Sequence, residues 1–109
     1  MSEETRVKFG IPPHPGIILA EELGIDLQDS KAIENFSRKC RIPMYRIARV
    51  FNGSADITAC IALRLEIYAK LASAKFWLNL QIDHNIYLEK QKIGYNAIVE
   101  HSQKHSQKE

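Results

Sequence analysis

The sequence predicts an all-α fold of five helices with a helix-turn-helix near its centre. Apolar residues recur at spacings of three and four in five separate segments, which is the period of amphipathic helices. Capping residues, proline or glycine bound these segments. Residues 31–53 carry six bases and one acid, although the net charge of the whole chain is only +2. These observations favour two short basic helices separated by a tight turn, within one domain of 109 residues.

The chain is expected to begin with an extended arm over residues 1–13. Val7, Phe9 and Ile11 alternate with charged residues or glycine, which permits a short edge strand that lays Phe9 and Ile11 on the core. Three prolines between positions 12 and 15 then prevent regular pairing.

The first helix is predicted to start at His14-Pro15-Gly16, because proline suits the first helical turn, and to stop at Gly24. We interpret His14 as a helix-start and packing residue, since no second His or Cys lies nearby at metal-ligand spacing. The apolar face of this helix comprises Ile17, Ile18, Ala20 and Leu23.

The helix-turn-helix is predicted over about residues 30–52. Its first helix covers about Ser30–Cys40, with Asp29 or Ser30 as the N-cap. Its second helix covers about Met44–Phe51 and ends at Asn52-Gly53, two residues that accept a left-handed backbone.

The second helix of this pair has two distinct sides at about 100° per residue. One side is apolar and comprises Ile47, Val50 and Phe51. The other comprises Tyr45, Ala48 and Arg49. The apolar side is expected to pack on the preceding helix, while the other side faces outward.

Two further helices are predicted after this unit. Thr58 is the expected N-cap of the fourth helix. The buried stripe of the fourth helix comprises Ile61, Ala62, Leu65 and Tyr68. Ser73 is expected to cap a fifth helix that runs from about Ala74 to Lys90.

The fifth helix carries two apolar faces. The larger arc comprises Phe76, Trp77, Leu80, His84, Tyr87 and Leu88. A second stripe comprises Leu78, Ile82 and Ile86, and it is separated from the first by polar Asn79, Gln81, Asp83 and Asn85. Because a helix packed on one core needs one apolar arc, the second stripe favours a dimer seam or a partner surface. The alternative is that residues 93–100 form a last short helix that folds back over it.

We expect the chain to divide into an arm (1–13), a helical domain (14–92) and a partly disordered C-terminal extension (93–109). The extension ends in two copies of His-Ser-Gln-Lys, a polar repeat typical of frayed segments. His101 and His105 lie at helical spacing, but no carboxylate or Cys completes a metal site with them.

Several classes of protein are not expected. Cys40 and Cys60 lie in apolar helical patterns and are predicted to be buried and reduced. No segment has the length of a membrane span or the apolar stretch of a signal peptide, so a cytoplasmic protein is expected. The sequence offers no paired carboxylates, Cys-His pair, phosphate loop or metal set, so neither an enzyme nor a cofactor is expected.

The basic charge on the helix-turn-helix is the footprint expected of phosphate contacts, although a solvated basic face is the alternative. Arg49 is the best base reader, since a guanidinium can make two hydrogen bonds to guanine O6 and N7. The candidates for base contact are Met44, Tyr45, Ala48 and Arg49. The candidates for phosphate contact are Ser30, Lys31, Arg38, Lys39, Arg41 and Arg46. One such module binds DNA weakly, with a nonspecific Kd on the order of 10⁻⁴–10⁻⁶ M. Because specificity normally comes from a dimer that binds two half-sites, a two-fold dimer is expected.

Six segments occur in an order typical of a known family: His14-Pro15-Gly16, residues 36–51, Asn52-Gly53, Ile57-Thr58, Ala62-Leu63-Arg64-Leu65 and Phe76-Trp77-Leu78-Asn79-Leu80-Gln81. Over about residues 12–90 the chain resembles the HigA/VapI family of antitoxins, within the lambda-repressor-like (XRE) helix-turn-helix class. The resemblance implies a small helical homodimer that binds and represses the operator of its own operon. It also implies that the protein neutralises a partner toxin, usually an mRNA-cleaving RNase of the RelE-like class.

The chain departs from the family pattern at three places. Arg41 stands where the family usually has Gly in the turn, and Ile33 where a polar residue is common. Lys70-Leu71-Ala72 stand where a Gly usually follows the fourth helix, with one extra residue before Phe76-Trp77. A left-handed Arg41 would cost about 1 kcal/mol relative to Gly. The departures keep a second hypothesis open: a protein-interaction module on the same scaffold, either toxin-neutralising or a dimeric adaptor, with weak or no operator binding.

Overall fold

The computed structural model describes residues 11–94, which form five helices and contain no strand. The helices are α1 (Pro15–Leu23), α2 (Ser30–Cys40), α3 (Met44–Phe51), α4 (Ala59–Ile67) and α5 (Ala74–Ile93). The all-α prediction is confirmed, and α5 continues to Ile93 instead of ending near Lys90. The predicted strand in the arm falls largely on residues 1–10. The predicted last helix over residues 93–100 falls largely, and the polar repeat wholly, on residues 95–109. Residues 1–10 and 95–109 lie outside the described residues.

Four of the helices begin at side chains that accept a backbone N–H, as the sequence predicted. His14 Nδ1 accepts from the amide of Gly16 at 2.9 Å, and Asp29 Oδ1 accepts from Ala32 at 3.1 Å. Thr58 and Ser73 play the same part for α4 and α5. Each cap satisfies one of the amides that a helix start leaves without an internal partner.

The core is built around α3. Helices α1 and α2 pack on α3, while α5 packs on α4 and on α1. The buried apolar residues include Leu19, Ile33, Phe36, Cys40, Ile42, Ile47, Val50, Phe51, Ile57, Ile61, Ala62, Leu65 and Trp77. The core face predicted for the helix-turn-helix is therefore confirmed, and the opposite face of α3 is held toward solvent.

Gly16 explains why the first helix opens with His-Pro-Gly. A Cβ at this position would lie 1.9 Å from the carbonyl oxygen of Val50 and 2.8 Å from its side chain. Glycine therefore permits α1 to touch the backbone of α3, which no larger residue allows without displacement.

The turn between α2 and α3 is formed by Arg41 in the left-handed region, with φ of 57°. The amide of Ile42 donates to Ser37 at 3.0 Å and that of Arg41 donates to Arg38 at 3.3 Å. These two bonds form a Schellman motif, in which Gly is the usual residue. The expectation that Arg41 would adopt a left-handed turn is confirmed, and Lys70 has a positive φ of 54° as well.

Gln81 corrects the interpretation of α5. It was expected to separate the two apolar faces as a polar residue, but its side chain is buried. Its Oε1 accepts the amide of Ile57 at 2.8 Å, and its Nε2 donates to Asn85 Oδ1 at 3.0 Å. The buried side-chain amide of Gln81 thus has a hydrogen-bond partner for its oxygen and for its nitrogen, and it links α5 to the loop before α4.

Several other residues are more exposed than predicted. Cys60 is exposed because it lies beside, not within, the buried stripe of α4, whereas Cys40 is buried as expected. Ile11 is 48% exposed, since the chain first meets α5 one residue later, where Pro12 O accepts from His84 Nδ1 at 2.9 Å. Phe76 and Leu88 are exposed although they lie on the arc of α5 that was expected to pack. Of the Asn52-Gly53 pair, Gly53 alone is left-handed.

Candidate nucleic-acid interface

The two sides of α3 are separated as the sequence predicted. Ile47 and Val50 are fully buried, whereas Tyr45 is 65% exposed and Arg49 is also exposed. Met44, at the start of the helix, is exposed too. The outward side therefore presents a cation, a phenol and a thioether that are free to reach a groove.

Ala48 differs from its prediction. It is half-buried and packs against the core, although it was expected to lie on the outward face. At about 100° per residue it falls roughly 100° from the centre of the buried stripe, at the border between the two sides. Its small size permits close approach of the α3 backbone to another molecule, but its own contact area is limited.

A groove runs beside the outward face, between α3 and the start of α4. It encloses about 380 Å³ and is lined by Tyr45, Arg46, Arg49, Ala55, Asp56, Thr58 and Ile61. Asp56 is the one acid in this wall, and the sequence did not single it out. Its carboxylate accepts from Asn85 Nδ2 at 3.4 Å and lies 4.0 Å from His14 Nε2.

The six candidates for phosphate contact all lie at the surface; they are Ser30, Lys31, Arg38, Lys39, Arg41 and Arg46. Two of them are already engaged. Arg38 pairs with Glu34 at 2.9 Å, one helical turn earlier. Arg41 places its guanidinium 4.7 Å from the ring centroid of Tyr68. An exposed pair at this spacing is worth about 0.3–0.5 kcal/mol, so a phosphate can displace Glu34 at little cost.

Sequence reasoning missed Arg64 and Tyr68 as neighbours of this surface. Arg64 lies with Arg41 and Arg46 around a second cavity, and Tyr68 supports Arg41. Both residues are on or just after α4, more than 20 positions from Arg41 along the chain. Helical periodicity within α4 predicts which of its residues face the core. It does not predict which basic residues of other elements lie beside Arg64 and Tyr68.

His14 lies behind the groove and is buried at the start of α1. Burial lowers the pKa of its imidazole, and the nearby His84 ring, 5.1 Å away, lowers it further. Asp56 and the Ala55 backbone act in the opposite direction on this pKa. Because Nδ1 accepts the Gly16 amide, the neutral ring carries its proton on Nε2.

The second apolar stripe of α5 is partly available. Ile82 and Ile86 are 52% and 51% exposed, as expected of a surface that binds another molecule. Leu78 was assigned to the same stripe, but it is half-buried and packs against the core. Of the three stripe residues, Leu78 lies nearest the N-terminus of α5. There it packs against the core, which α5 reaches through its contacts with α4 and α1.

Within residues 11–94, no group of three or more His, Cys, Asp or Glu side chains is arranged to hold a metal ion. The helices of the same region include none that is long and apolar enough to cross a membrane.

Two solved structures are similar to this one. An addiction module antidote protein of the HigA family from Coxiella burnetii is 36% identical, with a TM-score of 0.65 over 75% of this chain and 86% of that chain. A protein from Nostoc punctiforme, described as an antidote of a plasmid maintenance system, is 26% identical, with a TM-score of 0.57 over 89% of this chain and 93% of that chain. No protein-family model matches the sequence, and no curated protein is significantly similar to it.

Proposed function

Since this chain belongs to the HigA family of addiction module antidote proteins, we propose that it is the antitoxin of a HigBA-like toxin–antitoxin module. We further propose that it is a sequence-specific DNA-binding repressor of its own operon. The observation that carries the second part is the outward face of α3, where Arg49 and Tyr45 are exposed opposite a fully buried apolar side.

In this proposal α3 enters the major groove and its exposed side chains contact base edges. Arg49 binds a guanine through two hydrogen bonds, while Tyr45 and Met44 contact a thymine methyl group or the backbone. Ala48, at the border of the face, allows the helix to approach closely. The surrounding cations position the protein on the phosphates, which fixes register without reading sequence. Asp56 keeps one wall of the groove negative, which disfavours phosphate at that wall.

The partners in this proposal are double-stranded operator DNA, a second copy of the chain and a toxin. The toxin is an mRNA-cleaving RNase of the RelE-like class, so the complex contains an enzyme although this chain is not one. Ile82 and Ile86 supply the apolar surface for the second copy or the toxin. A dimer places two α3 helices about one DNA turn apart, as two-fold operators require. All of these partners are encountered in the cytoplasm.

A mobility-shift assay on the region upstream of the gene tests this proposal. The protein should bind that region in preference to unrelated DNA of the same length, and the affinity should fall steeply as salt rises. Failure of the purified dimer to bind at low salt would reject the repressor and leave the protein-interaction hypothesis. The antitoxin part is tested separately, by co-purification with the product of the neighbouring open reading frame and by loss of its RNase activity in the complex.

A further inference from the structure

A small cavity between the α2–α3 turn and α4 is surrounded by arginines. It encloses about 180 Å³ and is lined by Arg41, Arg46 and Arg64, together with Ile42, Pro43, Cys60 and Ile61. The three guanidinium groups come from three different elements: the turn, α3 and α4. One water needs about 10–15 Å³ of such space, so a phosphate group with part of its hydration shell fits.

Arg41 is held at this cavity at some cost. Its left-handed backbone is unfavourable by about 1 kcal/mol relative to glycine. Its guanidinium lies over the ring of Tyr68 at 4.7 Å, where a cation–π contact fixes its direction. An unfavourable backbone conformation combined with a side chain oriented by a neighbouring ring is typical of a functional position.

Arg64 is also fixed in place. Its Nη1 donates to the carbonyl oxygen of Cys60 at 3.3 Å and lies 2.7 Å from Cys60 Sγ. Neither contact is with a carboxylate, so no acid compensates the positive charge of Arg64 through them.

No acid lines this cavity in the part of the chain that the structure describes. The arrangement contrasts with Arg38, whose charge is paired with Glu34 at 2.9 Å. Three arginines line this one cavity and concentrate positive charge there. A tetrahedral oxoanion bound among them accepts charge-assisted hydrogen bonds from guanidinium groups.

We propose that Arg41, Arg46 and Arg64 form a binding pocket for one phosphate group, with Cys60 in its wall. We assign the bound phosphate group to the DNA backbone, and this assignment rests on the proposed function. Free inorganic phosphate is the alternative ligand, because it carries the same oxoanion. Arg64 is thereby a DNA-positioning residue on α4, outside the helix-turn-helix.

Cys60 provides a reporter for the pocket that needs no operator sequence. The chain has two cysteines, and Cys40 is buried, with a thiol pKa raised by that burial. Iodoacetamide should therefore alkylate Cys60 alone in the native full-length protein. Bound phosphate should lower the alkylation rate by the factor 1 + [phosphate]/Kd, which is about twofold at a concentration equal to Kd.

The experiment compares alkylation in inorganic phosphate with alkylation in sodium chloride of equal ionic strength. Wild type and the control Lys75→Gln, which removes an exposed charge on α5, should be protected by phosphate. Arg64→Gln and Arg41→Gln should lose the protection. Equal rates in phosphate and chloride for the wild type would overturn the pocket, even if the protein binds its operator.

A second arm replaces phosphate with a short random-sequence DNA duplex at low salt. Protection of the wild type that is lost in Arg64→Gln supports the DNA backbone as the source. Protection by inorganic phosphate without protection by the duplex would overturn that source and leave a free-anion site. Equal protection by the duplex in wild type and Arg64→Gln would show that DNA merely covers Cys60, which also overturns the assignment.

Discussion

The backbone amide of Ile57 donates to the buried Oε1 of Gln81 at 2.8 Å, which joins the loop before α4 to the middle of α5. This loop also carries Asp56, one wall of the groove beside α3. The buried side-chain amide of Gln81 therefore positions the loop that carries the acidic wall of this groove.

Gln81→Met should lower the free energy of unfolding by about 1–3 kcal/mol, because the Ile57 amide then loses its buried acceptor. Methionine keeps the side-chain volume, so the loss reports the hydrogen bonds of Gln81 to Ile57 and Asn85 and not a cavity. Urea unfolding followed by circular dichroism measures it. Asn79→Ala, at an exposed position of the same helix, is the control and should stay within about 0.5 kcal/mol of wild type.

Gly16→Ala should destabilise the fold more than Gly24→Ala. At Gly16 a new Cβ meets the Val50 carbonyl at 1.9 Å, so α1 must move away from α3. At Gly24 nothing lies near the new atom, and the cost is the left-handed φ of 68°, worth about 1 kcal/mol. Thermal unfolding of both variants gives the comparison, and a Gly16→Ala protein at least as stable as Gly24→Ala would contradict the packing described for α1.

Acid should destabilise the protein through His14. Burial holds the pKa of its imidazole below the model-peptide value of 6.5, so the folded state favours the neutral ring. The resulting stability is complete above pH 6.5 and is lost as the pH falls from there through the lowered folded-state pKa. His14→Asn retains a helix-capping acceptor and should flatten this dependence.

The measurement for His14 is the urea midpoint at a series of pH values from neutral to mildly acidic. His84→Asn in parallel removes the ring whose charge also lowers the His14 pKa. A His14→Asn protein with the same pH dependence as wild type would assign the acid sensitivity to other groups.

Ile82→Glu should dissociate a dimer or release the toxin, because a carboxylate on an apolar contact loses its hydration without gaining a partner. Gln91→Glu adds the same charge to an exposed position about 180° around α5 and should have no effect. Light scattering of the protein alone and with the toxin measures both variants. Unchanged mass of the Ile82→Glu protein in both conditions would exclude the exposed stripe as an interface.

The sequence predicted the helices well because their ends are set locally. Asp29, Thr58 and Ser73 each accept an amide a few residues onward, and Gly24 and Arg41 each occupy a left-handed turn. Local periodicity likewise predicted which side of α3 is buried. These features depend on residues within one or two helical turns, which sequence patterns report directly.

The remaining errors concern contacts between distant elements. The sequence pattern predicts Gln81 as a polar separator of two apolar faces and misses its burial, because its partner Ile57 lies 24 positions earlier in the chain. The apolar stripe beside Cys60 predicts a core position, although the residue is exposed. The convergence of Arg64 with Arg41 depends on the packing of α4 beside the turn, which no periodicity within either segment reveals.

Arg49→Ala tests the central claim, that the outward face of α3 reads DNA, most directly. Binding to the upstream region and to single-base variants of the bound site is measured by fluorescence anisotropy at fixed salt, with Lys75→Ala as the control. The account predicts that Arg49→Ala keeps the wild-type fold, binds its site more weakly by about 1–3 kcal/mol and discriminates less at one base pair. An Arg49→Ala protein that binds with wild-type affinity and wild-type base preference would contradict it.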